Sequence, residues 1–139
     1  MNVDDLIGAR RLERVPADPD AAGRRLSSAR RHLESAGLLA GDDPDAAYAL
    51  LYDAARKAVT AHMLARGLRA RNAPGAHEAT ARYAAATLTG PSSRELDRLR
   101  RFRNRIEYGT TNFESVQVEH DLAHARAIVE DVSVTLTPG

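Results

Sequence analysis

Apolar side chains recur with the spacing of an α-helix along most of this 139-residue chain. Residues three, four and seven positions apart share one face of a helix, whereas a strand alternates every second residue. Three stripes have this spacing: Ala22, Leu26, Ala29, Leu33 and Ala36; Ala47, Leu51, Ala54, Ala58, Ala61 and Ala65; and Val118, Leu122, Ala125, Val129 and Val132. The small side chains of the second stripe permit close approach of other helices, so we expect that helix to be central. The fold class is predicted to be all-α, an antiparallel up-and-down bundle of four to five helices.

Capping signals set the expected helix boundaries. Asp18 and Asp43 each precede a proline, and this pair is typical of helix starts because the carboxylate accepts free backbone N–H groups while proline suits the first turn. Two further pairs have the spacing of a capping box: Ser92 with Glu95, and Thr111 with Glu114. Helices are predicted near residues 3 to 14, 19 to 39, 44 to 66, 76 to 88, 92 to 107 and 114 to 134. We expect no β-strand apart from a weak pattern at residues 134 to 137.

Composition excludes several classes of protein. The formal net charge is only +1, so the chain does not carry a generally basic coat, and the absence of cysteine excludes disulfides and thiolate metal sites. No glycine-rich phosphate loop or serine nucleophile motif is present, and we expect no cofactor. No stretch reaches membrane-spanning length and no leader pattern precedes the first helix, so we expect a cytoplasmic protein without membrane contact.

The histidines and tyrosines have mostly structural interpretations. His120, His124 and Asp131 share a helix face with spacing that suits a divalent ion. That face lies opposite the apolar stripe, and no glutamate separates the histidines, so we expect no metal site. His77 is expected to be a loop or packing residue. Tyr48 and Tyr52, one turn apart on the central helix, are predicted to pack in the core.

One arginine of the helix near residues 92 to 107 occupies a core position. At 100° per residue, four apolar side chains form a stripe about 120° wide: Leu96, Leu99, Phe102 and Ile106. Arg103 falls inside that stripe. A guanidinium does not lose its proton and is costly to bury alone, so Arg103 must meet a carboxylate, a polar cleft or a bound anion.

Two roles for Arg103 stay open. In the structural role, Arg103 pairs with Glu107 one turn later, or with Asp53 on the central helix. In the functional role, Arg103 and Asn104, with Arg100 beside them, present a planar fork and an amide to one phosphate. Six arginines against two carboxylates between positions 94 and 105 make this helix locally basic, which suits either role.

Two segments resemble HEPN domains, which are small helical bundles. Residues 99 to 108, with the sequence LRRFRNRIEY, are similar to the family's signature helix, in which an arginine, often followed by asparagine, precedes a histidine by four to six residues. Residues 47 to 58, AYALLYDAARKA, are similar to the second helix of bacterial members, and the turn at residues 75 to 77 fits the start of the third. The resemblance spans roughly residues 20 to 134. We divide the chain into a short N-terminal helix and linker, residues 1 to 17, and a HEPN-like bundle, residues 18 to 136.

The resemblance implies a metal-independent ribonuclease whose arginine engages the scissile phosphate across a homodimer cleft. Here, however, Tyr108 stands where the family has histidine. A phenol with a pKa near 10 is a poor base at neutral pH. We therefore expect a non-nucleolytic protein of a toxin–antitoxin type system that binds RNA, a nucleotide or a partner through Arg103, Asn104 and Tyr108.

Two other functions remain open, a ribonuclease toxin with a variant site and a purely structural bundle. The resemblance also implies a homodimer and a nucleotidyltransferase partner that adds adenylate to a tyrosine near the motif. In this chain that tyrosine is Tyr108.

Overall fold

A computed structural model describes residues 1–107 and 114–136, without the side chains of Ile106 and Glu107. The elements in chain order are α1 (Val3–Gly8), β1 (Leu12–Arg14), α2 (Pro19–Leu39), α3 (Pro44–Ala65), β2 (Leu68–Ala70), α4 (Ala76–Thr87), α5 (Leu96–Glu107) and α6 (Ser115–Leu136). This architecture confirms the predicted all-α bundle, to which one pair of short strands is added. None of the helices within the described residues is both long and apolar enough to cross a membrane.

The two aspartate–proline pairs start helices as predicted. The Asp18 carboxylate accepts the backbone N–H of Ala21 at 3.0 Å, and the Asp43 carboxylate accepts that of Ala46 at 3.3 Å. The following prolines occupy the first turns of α2 and α3, where a missing N–H costs no hydrogen bond. Thr111, which belongs to the capping box predicted for the last helix, lies outside the described residues.

The expectation that the chain lacks strands is wrong near its beginning. The first helix ends at Gly8 instead of residue 14, because Arg10 adopts a left-handed backbone with φ 59° and the Arg11 N–H returns to the Leu6 carbonyl at 2.9 Å. The chain then runs antiparallel to β2, with Leu12 opposite Ala70. Three residues are too few for alternation to be visible in the sequence.

The other boundary errors lie at α5 and α6. The helix predicted from residue 92 begins at Leu96, because residues 91 to 94 form a turn. The Ser92 hydroxyl lies 2.9 Å from Nδ1 of His124 on α6. It therefore contacts another helix instead of capping its own. The weak strand pattern at 134 to 137 is also wrong, since α6 continues to Leu136.

The predicted stripes form the core, with α3 in the centre. Tyr48 and Tyr52 are 0% and 1% exposed, which confirms that both pack inside. The alanines of the predicted stripe on α3 are buried except for Ala65 at its end, and the neighbours of this helix are chiefly α2 and α6. Because alanine side chains are short, the helix axes approach closely and α3 has little space for a large substituent on these faces.

A buried carboxylate on α6 joins three helices. Asp121 is 0% exposed, and its oxygens accept the Tyr48 hydroxyl at 2.8 Å, the Arg98 guanidinium at 2.8 and 3.3 Å, and the Gln117 amide at 2.9 Å. Burial alone raises the pKa of a carboxyl group, but the hydrogen bonds from Arg98, Tyr48 and Gln117 outweigh burial and lower the pKa of Asp121. The charge is therefore retained inside the bundle, and it fixes α5 against α3 and α6.

We expect Asp121→Ala to lower the free energy of unfolding by about 3–5 kcal/mol at pH 7, because it leaves a guanidinium and a hydroxyl without their buried acceptor. The contribution of Asp121 is full above the unfolded-state pKa of about 3.9 and is lost as the pH falls through the depressed pKa of the folded protein. Urea denaturation of the unmodified protein and of Asp121→Ala at pH 7 and pH 3 measures the difference between their free energies of unfolding. This difference should be smaller at pH 3. Glu130→Ala, at an exposed position of α6, is the matched control. An equal effect of the two variants would contradict the stabilising role of Asp121.

Candidate functional site

The predicted stripe of α5 faces the bundle and carries Arg103 with it. Leu96 and Leu99 are 1% and 0% exposed, whereas Arg103 is half-buried beside them. The guanidinium carbon of Arg103 lies 5.7 Å from the centroid of the Tyr52 ring. This distance is within the range of a cation–π contact, in which the face of the ring attracts the cation. The side chain thus lies at the edge of the core, where α5 crosses α3.

Tyr52 connects this arginine to a histidine. Its hydroxyl lies 3.0 Å from Nδ1 of His77, the second residue of α4. Burial raises the pKa of Tyr52 to about 12, against the opposing effect of Arg56, Arg100 and Arg103. The phenol therefore stays protonated at neutral pH. The contact with the Tyr52 hydroxyl holds the imidazole ring at Nδ1 and does not involve the second ring nitrogen, Nε2.

His77 lies at the surface among arginines. Partial burial lowers its pKa, and the positive charges of Arg56, Arg103 and Arg100 lower it further. The ring is consequently neutral over more of the physiological pH range than an ordinary histidine. Gly75, with φ 88°, starts α4 in a left-handed conformation that favours glycine, and this turn brings His77 to the cluster.

Two carboxylates hold the neighbouring cations in place. Asp53 accepts from Arg56 at 2.7 Å and lies 3.3 Å from Nζ of Lys57. Arg100 donates twice to Asp97, at 2.8 and 3.0 Å. Each pair uses one side of a guanidinium, so Arg56 and Arg100 are oriented and keep other N–H groups for a ligand.

We call Arg56, His77, Arg100 and Arg103, arranged around Tyr52, the basic cluster. Of the site residues predicted from the sequence, it contains Arg100 and Arg103. Asp53 lies beside it and positions Arg56. Asn104 follows Arg103 on α5 and is half-buried. The side chain of Glu107 and the whole of Tyr108 lie outside the part of the chain that the structure describes.

Sequence reasoning missed His77 and Arg56. The only local signal for His77 is its position after a glycine turn, and nothing local distinguishes Arg56 from the other charges of its helix. Both enter the site through tertiary packing of α3 and α4 against α5. Three guanidiniums and one imidazole from three helices form an arrangement that is suited to phosphate oxygens.

The histidine pair on α6 lies close to a carboxylate other than the one that helical spacing suggests. The ligand atoms of His120, His124 and Asp121 lie within 4.8 Å of one another, whereas the Asp131 carboxylate accepts the Gly90 N–H at 2.9 Å. Including Asp131 in that group was therefore wrong. The oxygens of Asp121 already accept from a guanidinium, a phenol and an amide, and a divalent ion would have to compete with the charge of Arg98.

Comparisons of the chain with protein-family models, with curated proteins and with solved structures give no match. The chemistry of the basic cluster therefore carries the functional argument.

We expect the pKa of His77 to lie below the ordinary histidine value of about 6.5, and to rise towards it in Arg103→Gln, because one of the nearby positive charges is removed. Titration of the imidazole signals by NMR measures both values. Arg101→Gln, on the same helix and 65% exposed, should leave the pKa unchanged. If Arg103→Gln also leaves it unchanged, Arg103 does not act on His77.

Proposed function

We propose that this chain is a HEPN-like protein that binds the phosphate groups of RNA or a nucleotide through the basic cluster, as a non-nucleolytic component of a toxin–antitoxin type system. The observation that carries the proposal is the convergence of Arg56, Arg100 and Arg103 with His77 around one buried tyrosine. In a chain of net charge +1, such a local concentration of cations creates a positive potential that attracts phosphate.

The surroundings of each cation support phosphate binding. Arg103 is steadied by the Tyr52 ring, and Arg56 and Arg100 are steadied by carboxylates, so less side-chain entropy is lost when a ligand binds. Arginine suits this role because its planar fork can donate two parallel hydrogen bonds to a phosphate. Asn104, adjacent to Arg103, adds an amide on the same helix.

Ribonuclease activity is the second candidate, and His77 is the observation that favours it. Tyr108 replaces the histidine expected in the motif, which argues for binding without cleavage. A neutral imidazole beside several guanidiniums nevertheless has the chemistry needed to take the proton of a ribose 2′-hydroxyl. Whether RNA is cleaved therefore separates the two functions.

We expect Arg103→Ala and Arg100→Ala each to weaken binding of a fluorescein-labelled single-stranded RNA about tenfold or more, since a hydrogen bond to a charged group contributes about 1.5–3 kcal/mol. Fluorescence anisotropy at two salt concentrations measures this effect. Arg101→Ala is the matched control, because Arg101 also pairs with Asp97 from the same helix but belongs to its exposed side. Equal loss in all three variants, or no binding by the unmodified protein, would contradict the proposal.

The same samples, run on a denaturing gel with a chelator present, test the second candidate. Intact RNA agrees with a binding function. Cleavage that is lost in both Arg103→Ala and His77→Ala, and kept in Arg101→Ala, would replace the binding function with a metal-independent ribonuclease.

The proposal includes a homodimer and a nucleotidyltransferase partner with Tyr108 as the acceptor of adenylate. Val116 and Val134 on α6 are 75% and 67% exposed and lie on one face, since eighteen residues make five helical turns. Burial of this face by a second copy would remove apolar surface from water.

We expect light scattering at micromolar concentration to give about twice the mass of one chain, and Val116→Glu to shift the protein towards the monomer. Val116 is exposed in the single chain, so circular dichroism of the variant should be unchanged. A monomer at every concentration would rule out the dimer.

A further inference from the structure

A cavity of about 540 Å³ lies beside the basic cluster and has further cations of its own. Residues of α2, α3, β2 and α4 line it, together with the segment that follows β1. Its volume falls within the range of small-molecule sites, about 300–1,000 Å³. Arg56 and His77 belong to both regions, so the cavity and the basic cluster are continuous.

Four arginines line the cavity, and two of them are not ion-paired within residues 1–107 and 114–136. Arg69 pairs with Glu13 at 2.6 Å, and Arg56 pairs with Asp53. Arg25 and Arg71 are exposed and form no such pair. The single carboxylate in the lining, that of Asp18, already caps α2 by accepting the Ala21 N–H. The wall thus has an excess of positive charge that an anion would neutralise.

The rest of the lining suits an organic group attached to that anion. Val15, Pro16 and Leu64, which are at least partly exposed, provide an apolar surface. Thr60 donates its hydroxyl hydrogen to the Lys57 carbonyl at 2.8 Å, so its oxygen can serve a ligand as an acceptor only. The amide of Asn72 supplies both a donor and an acceptor, and guanidinium planes can stack on an aromatic base.

We propose that this cavity binds a nucleotide, with its phosphate groups on Arg25 and Arg71 and its base and sugar against the apolar wall. The site is distinct from the phosphate site at Arg103, although both adjoin Arg56 and His77. An inorganic anion would use the arginines alone, and a nucleoside would use the apolar wall alone. A nucleotide uses both halves of the lining.

The test is calorimetric titration of the full chain with ADP, with adenosine and inorganic phosphate as separate ligands. ADP should bind more tightly than either fragment, and Arg71→Ala and Arg25→Ala should each weaken ADP binding about tenfold or more. Arg24→Ala is the matched control, because it is the neighbouring exposed arginine of α2 but does not line the cavity. Circular dichroism verifies that every variant is folded.

Absence of ADP binding overturns the nucleotide site, and so does each of three further outcomes. If inorganic phosphate binds as tightly as ADP, the cavity is a simple anion site. If adenosine binds as tightly as ADP, the arginines have no role in binding. Loss of ADP binding in Arg103→Ala but not in Arg71→Ala would transfer the nucleotide to the basic cluster. If Arg103→Ala loses RNA binding but still binds ADP, both proposals stand. If Arg71→Ala loses ADP binding but still binds RNA, the two sites are independent.

Discussion

The position of α5 depends on one buried carboxylate. The two carboxylate oxygens of Asp121 accept hydrogen bonds from the guanidinium of Arg98 on α5 and from the hydroxyl of Tyr48 on α3. An arginine-rich helix is otherwise poorly suited to lie against an alanine-rich core, because cations lose hydration there. With Arg98 satisfied, Leu96 and Leu99 can be fully buried, and Arg103 reaches the Tyr52 ring on α3. Asp121 therefore supports the basic cluster without contacting it.

Carboxylates near the start of α5 pair with three of its arginines. Near its start, Glu95 and Asp97 accept from Arg98, Arg100 and Arg101 at 2.8 Å each. Within the described part of the helix, these carboxylates thus pair with arginines of its first half. A chain that is almost neutral overall can nevertheless bring cations from several helices together at one surface, as in the basic cluster.

Local features of the sequence predict most of the bundle, whereas contacts between residues that are distant in the sequence could not be predicted from it. The starts of α2 and α3 and the three apolar stripes follow from neighbours within a few residues, so capping and periodicity reveal them. The placement of Arg103 within an apolar stripe is local in the same sense. His77, Asp121 and the strand pair involve partners on other elements, and no spacing rule within one helix contains that information.

The pairing of β1 with β2 depends on the helices that lie between them in the chain. Pairing Leu12 with Ala70 closes a loop that contains all of α2 and α3, and the chain entropy lost in closing such a loop is not offset by a ladder of three residues. The bundle must already hold the ends of that loop together. Val15 and Pro16, which complete the cavity wall just beyond β1, are therefore ordered only as long as the helices are assembled. The N-terminal segment also reaches the basic cluster through α4, because Arg11 lies 3.7 Å from the carboxylate of Glu78, the residue that follows His77.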